Sequence, residues 1–304
     1  MEIIAFVRAI HFAGILVPPA ILAFQTVIAR PAWKKSGETG YVILAAMEKS
    51  LLWVALAGAV AAFVSGLAWL FLVASKMSDE ALDFRIFETI LTETHFGKTW
   101  SLHLSMIFLL CGFFGLLLRQ RPGRNLFLAP WLVAVGALVS MPFAGHAAAT
   151  TRPVINIVVD SLHLLAASFW PAGLFPMAIF LVRLRKSPEL NAVASTMTER
   201  FSRMSLISVP ILALTGLLNC SLITGRFFPF QSTYGRVLLA KVIVFGMMLG
   251  IGAVNLWKIK PRFRYSPPGT RNVATTLLVN VSMETCLACV VLILTGVLGQ
   301  TSPG

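Results

Sequence analysis

Apolar residues run along this chain in stretches of about 18 or more, and polar and basic residues are confined to the gaps between them. Eight stretches stand out: Ile3–Ala29, Ile43–Val73, Thr99–Leu118, Phe127–Ala144, Val154–Val182, Ser202–Thr224, Tyr234–Trp257 and Val273–Leu298. A helix of about 20 apolar residues crosses the hydrocarbon core of a bilayer. The short alternating segments of an outer-membrane barrel are absent. The pattern predicts an all-α integral membrane protein with eight transmembrane helices in one transmembrane domain, residues 1–304. The widest gap, 76–98, sets Phe84, Phe87 and Leu91 at helical spacing among Asp79, Glu80, Asp83, Glu88 and Glu93. It reads as an outer amphipathic loop, either gathering cations on its acidic face or simply solvated.

The stretches also repeat. Arg8-Ala-Ile-His11 and Pro19 align with Asp160-Ser-Leu-His163 and Pro171 at a constant offset. Ser65-Gly66-Leu67 aligns with Thr215-Gly216-Leu217, and Phe96-Gly97-Lys98 with Tyr234-Gly235-Arg236. In that alignment His103 faces Lys241. Three matches in consecutive order predict a 4+4 internal repeat, with a first four-helix half (1–125 plus 126–150) and a second (151–304). Four spans per half make the repeats parallel, about an axis along the membrane normal. Pro18, Pro19, Pro171 and Pro176 lie just past the two aligned histidines, where paired helix breaks mark a binding site; the plainer reading is that proline is common in membrane helices.

Composition agrees with a membrane protein: 57% of residues are hydrophobic and 12% charged, about half the charged share of a soluble domain. A net charge of +13 invites a nucleic-acid reading, but 17 of the 25 basic residues fall in alternate loops. That is the positive-inside pattern, which puts both termini outside and argues against nucleic acid as a partner. The N-terminus lacks a basic region ahead of its apolar run, so the first span is expected to be retained. The four cysteines, Cys111, Cys220, Cys286 and Cys289, all fall inside spans and read as buried thiols.

The candidate chemistry is imidazole. All five histidines fall on the outer side. By helical rise His11 is about 12 Å deep, His163 about 13 Å and His103 about 6 Å, with His146 at the outer end of the fourth span and His95 in the loop before the third. A lone histidine on an apolar helix is ordinarily a satisfied core residue. Four in one half of the bilayer argue for a joint role, because imidazole is costly in lipid and ligates copper, zinc or haem iron. Asp160 shares a helix face with His163 and either orients it, ligates directly, or pairs with Lys241 or Arg8. Met141, five residues before His146 with Pro142 between them, adds a thioether suited to Cu(I). Cys286 and Cys289 form either a relay for a soft metal or small packing residues. Glu284 is a mid-membrane acid, either a proton site or a paired structural residue. The site is expected to be asymmetric, centred between the first and fifth helices near Pro19 and Pro171, with His95 outside it.

The residues assembled resemble the copper-resistance protein D (CopD/PcoD) family of bacterial inner-membrane proteins. The matching run is Gly145-His146-Ala147-Ala148, Asp160-x-x-His163 with Trp170 and Gly173, Arg200-Phe201-Ser202, Thr215-Gly216 with Asn219, Tyr234-Gly235-Arg236 with Lys241, Asn255 and Glu284. The resemblance implies eight helices in the bacterial inner (plasma) membrane with periplasmic termini, and a role in moving copper across or into that membrane. It also implies a periplasmic copper-binding protein as partner. Two departures are Pro171 after Trp170, where the family carries a double glycine, and the lack of methionine-rich outer loops.

Three functions follow as alternatives. In the first, copper, as Cu(I) or Cu(II), is collected by His146 and Met141 and passed to His11, His103 and His163, with Asp160, Lys241, Arg8 and Glu284 adjusting charge; the protein is then no enzyme. In the second, the histidines ligate haem b and the protein is an oxidoreductase carrying electrons from quinol to a periplasmic acceptor. In the third, the protein anchors a periplasmic copper chaperone. No Walker motif is present, which argues against ATP-driven pumping.

Overall fold

The computed structural model describes residues 2–33, 37–77, 84–119, 127–145, 152–184, 190–225, 231–265 and 271–301. Among them there is no strand. The helices are α1 (Glu2–Ala23), α2 (Arg30–Trp33), α3 (Gly37–Met77), α4 (Phe84–Glu93), α5 (His95–Arg119), α6 (Leu128–Ala144), α7 (Pro153–Phe169), α8 (Leu174–Leu184), α9 (Asn191–Thr224), α10 (Thr233–Val254), α11 (Lys260–Tyr265) and α12 (Arg271–Leu298). Phe24–Ala29 and Asn255–Ile259 are π-helical turns. Among the described residues seven helical segments, one of them α7 and α8 taken together, are long and apolar enough to cross a membrane, while α6, at 17 residues, is shorter. Their outward faces carry large apolar side chains such as Phe71, Phe108, Leu214 and Ile293, as expected of surfaces solvated by lipid tails. The amphipathic element of the 76–98 gap is α4: Ile90 is buried against α5, and Arg85, Glu88 and Glu93 are exposed. Asp79, Glu80 and Asp83 lie outside the described residues.

The central helix is α1, which packs against α3, α6, α7 and α12. Small residues let it approach closely, the usual device where lipid offers no hydrophobic drive between helices. A Cβ on Gly14 would sit 2.7 Å from both the Gly58 carbonyl oxygen and the Ala62 nitrogen of α3. On the other side, a Cβ on Gly296 of α12 would come within 3.2 Å of Ala9.

The two proline pairs behave differently, and the expected break at Pro19 is absent. Helix α1 runs through Pro18 and Pro19 to Ala23 and widens only afterwards, into the Phe24–Ala29 π-helical turn. Close neighbours let a membrane helix tolerate proline, and here α1 is packed between α3, α6, α7 and α12. In the second half the chain does break at Pro171: α7 ends at Phe169, and α8 starts at Leu174 after a turn. Near Pro142 the helix also holds, ending at Ala144.

Beyond the π-helical turn a polar knot ties four elements together. Arg30 bonds Glu48 of α3 at 2.7 Å and lies 4.1 Å over the Phe127 ring. Gln25 donates to the Glu48 carbonyl at 3.2 Å, and Arg200 of α9 donates to the Val27 carbonyl at 3.0 Å. Removing one partner of such a pair strands a charge, whereas removing both does not. Glu48→Ala is therefore expected to destabilise the fold by about 3 kcal/mol, the low end for a buried pair, because the Arg30 side chain keeps 16% of its exposure. The double change Arg30→Met with Glu48→Leu is expected to cost under about 1 kcal/mol. Thermal unfolding of the detergent-solubilised variants by circular dichroism checks both values.

Candidate functional site

Two predicted residues from separate helices meet directly. His11 of α1 and His103 of α5 face each other with Nε2 to Nε2 at 3.0 Å, and both side chains are fully buried. The other ring nitrogens fix the protons. His11 Nδ1 lies 2.9 Å from the Ala62 carbonyl oxygen. Ser65, whose hydroxyl already donates to the Ala61 carbonyl, is also near this nitrogen. His103 Nδ1 lies 3.0 Å from the Ala137 carbonyl and 2.8 Å from the Ser140 oxygen, and the Ser140 hydroxyl donates to Ala137. Every neighbour of each Nδ1 is thus an acceptor, so both Nδ1 atoms carry hydrogen. The two Nε2 lone pairs then point at one another. Only a shared proton or a cation between them makes that arrangement favourable.

Aromatic rings enclose the pair. The Trp69 and Trp100 ring centroids lie 5.5 and 5.3 Å from that of His11, and Phe96 stacks on Trp100. Trp100 is pinned by its indole N–H, which donates to the Gly66 carbonyl at 2.9 Å. Toward the start of α1, the Arg8 guanidinium lies 4.5 Å from the Trp69 centroid and donates to the Gly299 carbonyl at 2.9 Å. Arg8 is therefore engaged by Trp69 and the end of α12.

A second polar group is built on the other half. His163 of α7 places Nδ1 2.9 Å from the Thr215 oxygen of α9, whose hydroxyl donates to the Ile211 carbonyl. Its Nδ1 therefore carries hydrogen, leaving Nε2 as a single imidazole acceptor. One turn before it, Asp160 accepts from Asn219 at 3.2 Å. Lys241 of α10 interacts electrostatically with both Asp160 and His163. Asn219 is a partner that the helical spacing around Asp160 did not single out.

The remaining predicted residues lie apart. Met141 is buried on α6 beside Ser140, and His146 lies outside the described residues. His95 is exposed at the start of α5, 3.2 Å from the Phe143 carbonyl. Glu284 accepts from Asn255 at 2.7 Å, between α12 and the π-helical turn after α10. Cys286 and Cys289 are exposed, not buried, because Val281, Glu284 and Ala288 form the inward stripe of α12. Among the described residues no three His, Cys, Asp or Glu side chains converge on one point. The imidazoles are held within each half, His11 with His103 and His163 with Thr215, and not gathered between the first and fifth spans.

Fold and site together define an integral membrane protein with paired imidazoles buried in a helical bundle. The chain belongs to the copper resistance protein D family: the family's N-terminal domain model matches residues 1–154 and its Copper resistance protein D model residues 195–298. Copper resistance protein D of Pseudomonas syringae pv. tomato is 28% identical over 224 residues, 71% of each chain. Inner membrane protein YebZ of Escherichia coli K12 is 25% identical over 214 residues, 69% of this chain and 70% of that protein. Copper transport protein CutJ of Bacillus subtilis is 33% identical over 128 residues, 42% of this chain but 24% of that longer relative. No solved structure matches.

The two histidine slots differ in tightness. A Cβ on Gly66 would lie 3.0 Å from His11 Cε1 and 2.7 Å from Leu104, whereas one on Gly216 would meet His163 Cε1 at an ordinary 3.6 Å. Gly66→Ala is expected to cost about 1–3 kcal/mol through overpacking. Gly216→Ala is expected to leave stability unchanged or raise it by up to about 1 kcal/mol through helix propensity. Melting temperatures of the two variants in detergent give the comparison.

Proposed function

We propose that this protein carries copper as cargo, taking the ion from the periplasmic side of a bacterial inner membrane at the His11–His103 pair. The observation that carries this reading is the 3.0 Å approach of two Nε2 atoms whose partner nitrogens are both committed as donors. A metal about 2.0 Å from each nitrogen spans that gap with a bent, near-right-angle geometry, and parting the rings by about 1 Å makes it linear. Imidazole alone does not choose among copper, zinc, iron and nickel; family membership supports copper. Nδ1–H bonds to backbone carbonyls are what orient an imidazole ligand and raise its basicity. His146 and Met141 serve in this reading as collectors at the outer end, and His163 with Asp160 and Lys241 as a second station in the other half.

The orientation with both termini outside rests on the alternate basic loops. The eight-span count takes α6 as a short span. The 4+4 repeat is supported by a contact between aligned positions, Ser168 against the Leu16 carbonyl, and by Ser65-Gly66 and Thr215-Gly216 each lying beside an aligned histidine. The haem reading finds no such support, because a macrocycle has no place in a 3.0 Å gap between two rings.

Competition with a chromophoric chelator in detergent or nanodiscs tests the proposal. Wild-type protein is expected to bind one copper ion tightly at the pair and to lose at least about 100-fold in affinity on His11→Gln or His103→Gln. Ser140→Ala should lose less than about tenfold, in line with a supporting residue, because the Ala137 carbonyl still holds the ring. Binding should also quench the fluorescence of Trp69 and Trp100, which touch His11. Equal affinity in wild type and both histidine variants would sink the proposal.

A further inference from the structure

Glu284 is the sole charged residue between Val273 and Thr301 of its helix. Its side chain is 2% exposed, in a region where an ionised carboxylate without a counter-charge is expensive. The close contact of Gly296 with Ala5 and Ala9 serves as a ruler for its depth. His11 lies about four residues inward of that level on α1 and Glu284 twelve inward on α12, about 6 and 18 Å at the helical rise. Glu284 is thus about 12 Å farther along the bundle axis than the imidazole pair.

Its surroundings are amide and not cationic. Oε1 accepts from Asn255 Nδ2 at 2.7 Å, and the Asn255 oxygen accepts from Asn280 at 2.7 Å. Oε2 faces backbone at Gly252, where an added Cβ would lie 3.7 Å away. Asn255 opens a π-helical turn, a local widening that recurs at functional sites. Three other elements pack against α12 besides α10. By the same ruler α1 presents its segment 17–23 at this level, which holds no charged residue; the nearest charged α1 groups are Arg8, outward, and Arg30, inward and bonded to Glu48. On α8 the sole charged residue is Arg183, exposed near its end. On α10 and its π-helical turn, Lys241 lies fourteen residues before Asn255, and Lys258 is exposed.

A buried carboxyl with no facing cation among the described residues, one amide donor on one oxygen and open backbone beside the other is built to hold a proton. An all-oxygen donor set is also a poor match for soft copper. We infer that Glu284, held by Asn255 and Asn280, is a proton-binding site of the inner part of the bundle that releases and recovers one proton as cargo passes. On release the O–H bond at Oε2 breaks, the proton leaves to water, and the electron pair stays on the carboxylate, which keeps the Asn255 bond. No oxidation or reduction is involved. Proton binding stands independently of the copper reading, whereas its link to cargo rests on that reading.

Infrared difference spectroscopy on the full chain in nanodiscs separates the two. In the difference between about pH 5 and about pH 9, wild type is expected to show a protonated-carboxyl C=O band. That band should vanish in Glu284→Gln and shift in Asn255→Leu. Absence of the band, its persistence in Glu284→Gln, or its displacement by sodium at fixed pH would overturn the inference. Should Glu284→Gln fail to fold, Glu284→Asp must shift the band. For the link to cargo, vesicles loaded with a pH dye are expected to report proton release on copper addition, reduced at least fivefold in Glu284→Gln while copper affinity at the pair stays within twofold. Equal release in wild type and variant would overturn the coupling while leaving the copper site intact.

Discussion

In hydrocarbon a hydrogen-bonding group without a partner costs several kcal/mol, and the placement of the buried histidines in this bundle follows from that cost. The interaction on which the rest hangs is the bond between His11 Nδ1 and the Ala62 carbonyl. It exists only because α1 and α3 touch at Gly14, Gly58 and Ala62; one methyl group at Gly14 would push the carbonyl away from the ring. With Nδ1 held, the His11 ring can turn in only one way, and Nε2 meets His103. The Ala137–Ser140 turn of α6 applies the same constraint to His103 from the other side. Four helices therefore hold two rings with no freedom left except in what sits between them.

The second half uses the same device to a different end. His163 leans on Thr215 as His11 leans on the turn around Ser65, but its alignment partner for His103 is Lys241. A lysine ammonium carries its own positive charge, whereas a neutral imidazole pair carries none. Asp160 and Asn219 then have a charge to answer on that side of the bundle. A neutral imidazole pair in one group and a lysine beside Asp160 and His163 in the other leave the polar residues unevenly divided.

Much of the fold was legible because lipid makes hydrophobic length a direct readout of spans: seven of the eight predicted stretches lie on long apolar helices, and the eighth on the shorter α6. The one-turn relation of Asp160 to His163 and the Ser65-Gly66 and Thr215-Gly216 pairs were legible for a similar reason, since helical spacing fixes neighbours on one helix. Contacts between helices were not. Nothing in the spacing of His11 and His103 says that their rings converge, because that depends on the small residues that bring α1 to α3. The same holds for Asn255 and Glu284, whose meeting depends on a π-helical turn that apolar periodicity does not encode. Proline was legible as an anomaly but not in effect: at Pro19 the surrounding helices hold α1 together, and at Pro171 the turn with Gly173 releases the chain. Cys220 is buried as expected, whereas Cys286 and Cys289 were misread as buried because a helix that is apolar all round gives no sign of which face looks inward.

Charge balance links the two ends of the bundle. A cation seated between His11 and His103 adds a positive charge inside a low-dielectric interior, with Arg8 one turn away already positive and bound to the Trp69 face. Coulomb repulsion falls only as the inverse of distance there, so a bare ion moving inward stays costly along the whole path. An acid that ionises ahead of the ion changes that balance, because the carboxylate left behind offsets the charge where no other group can. Glu284, about 12 Å inward of the imidazoles by helical rise and without a facing cation among the described residues, is the one acid in α12. In the proposed reading, an acid at the level of the imidazole pair would trap the ion at its point of capture, and separating the two lets capture and release be governed by different groups.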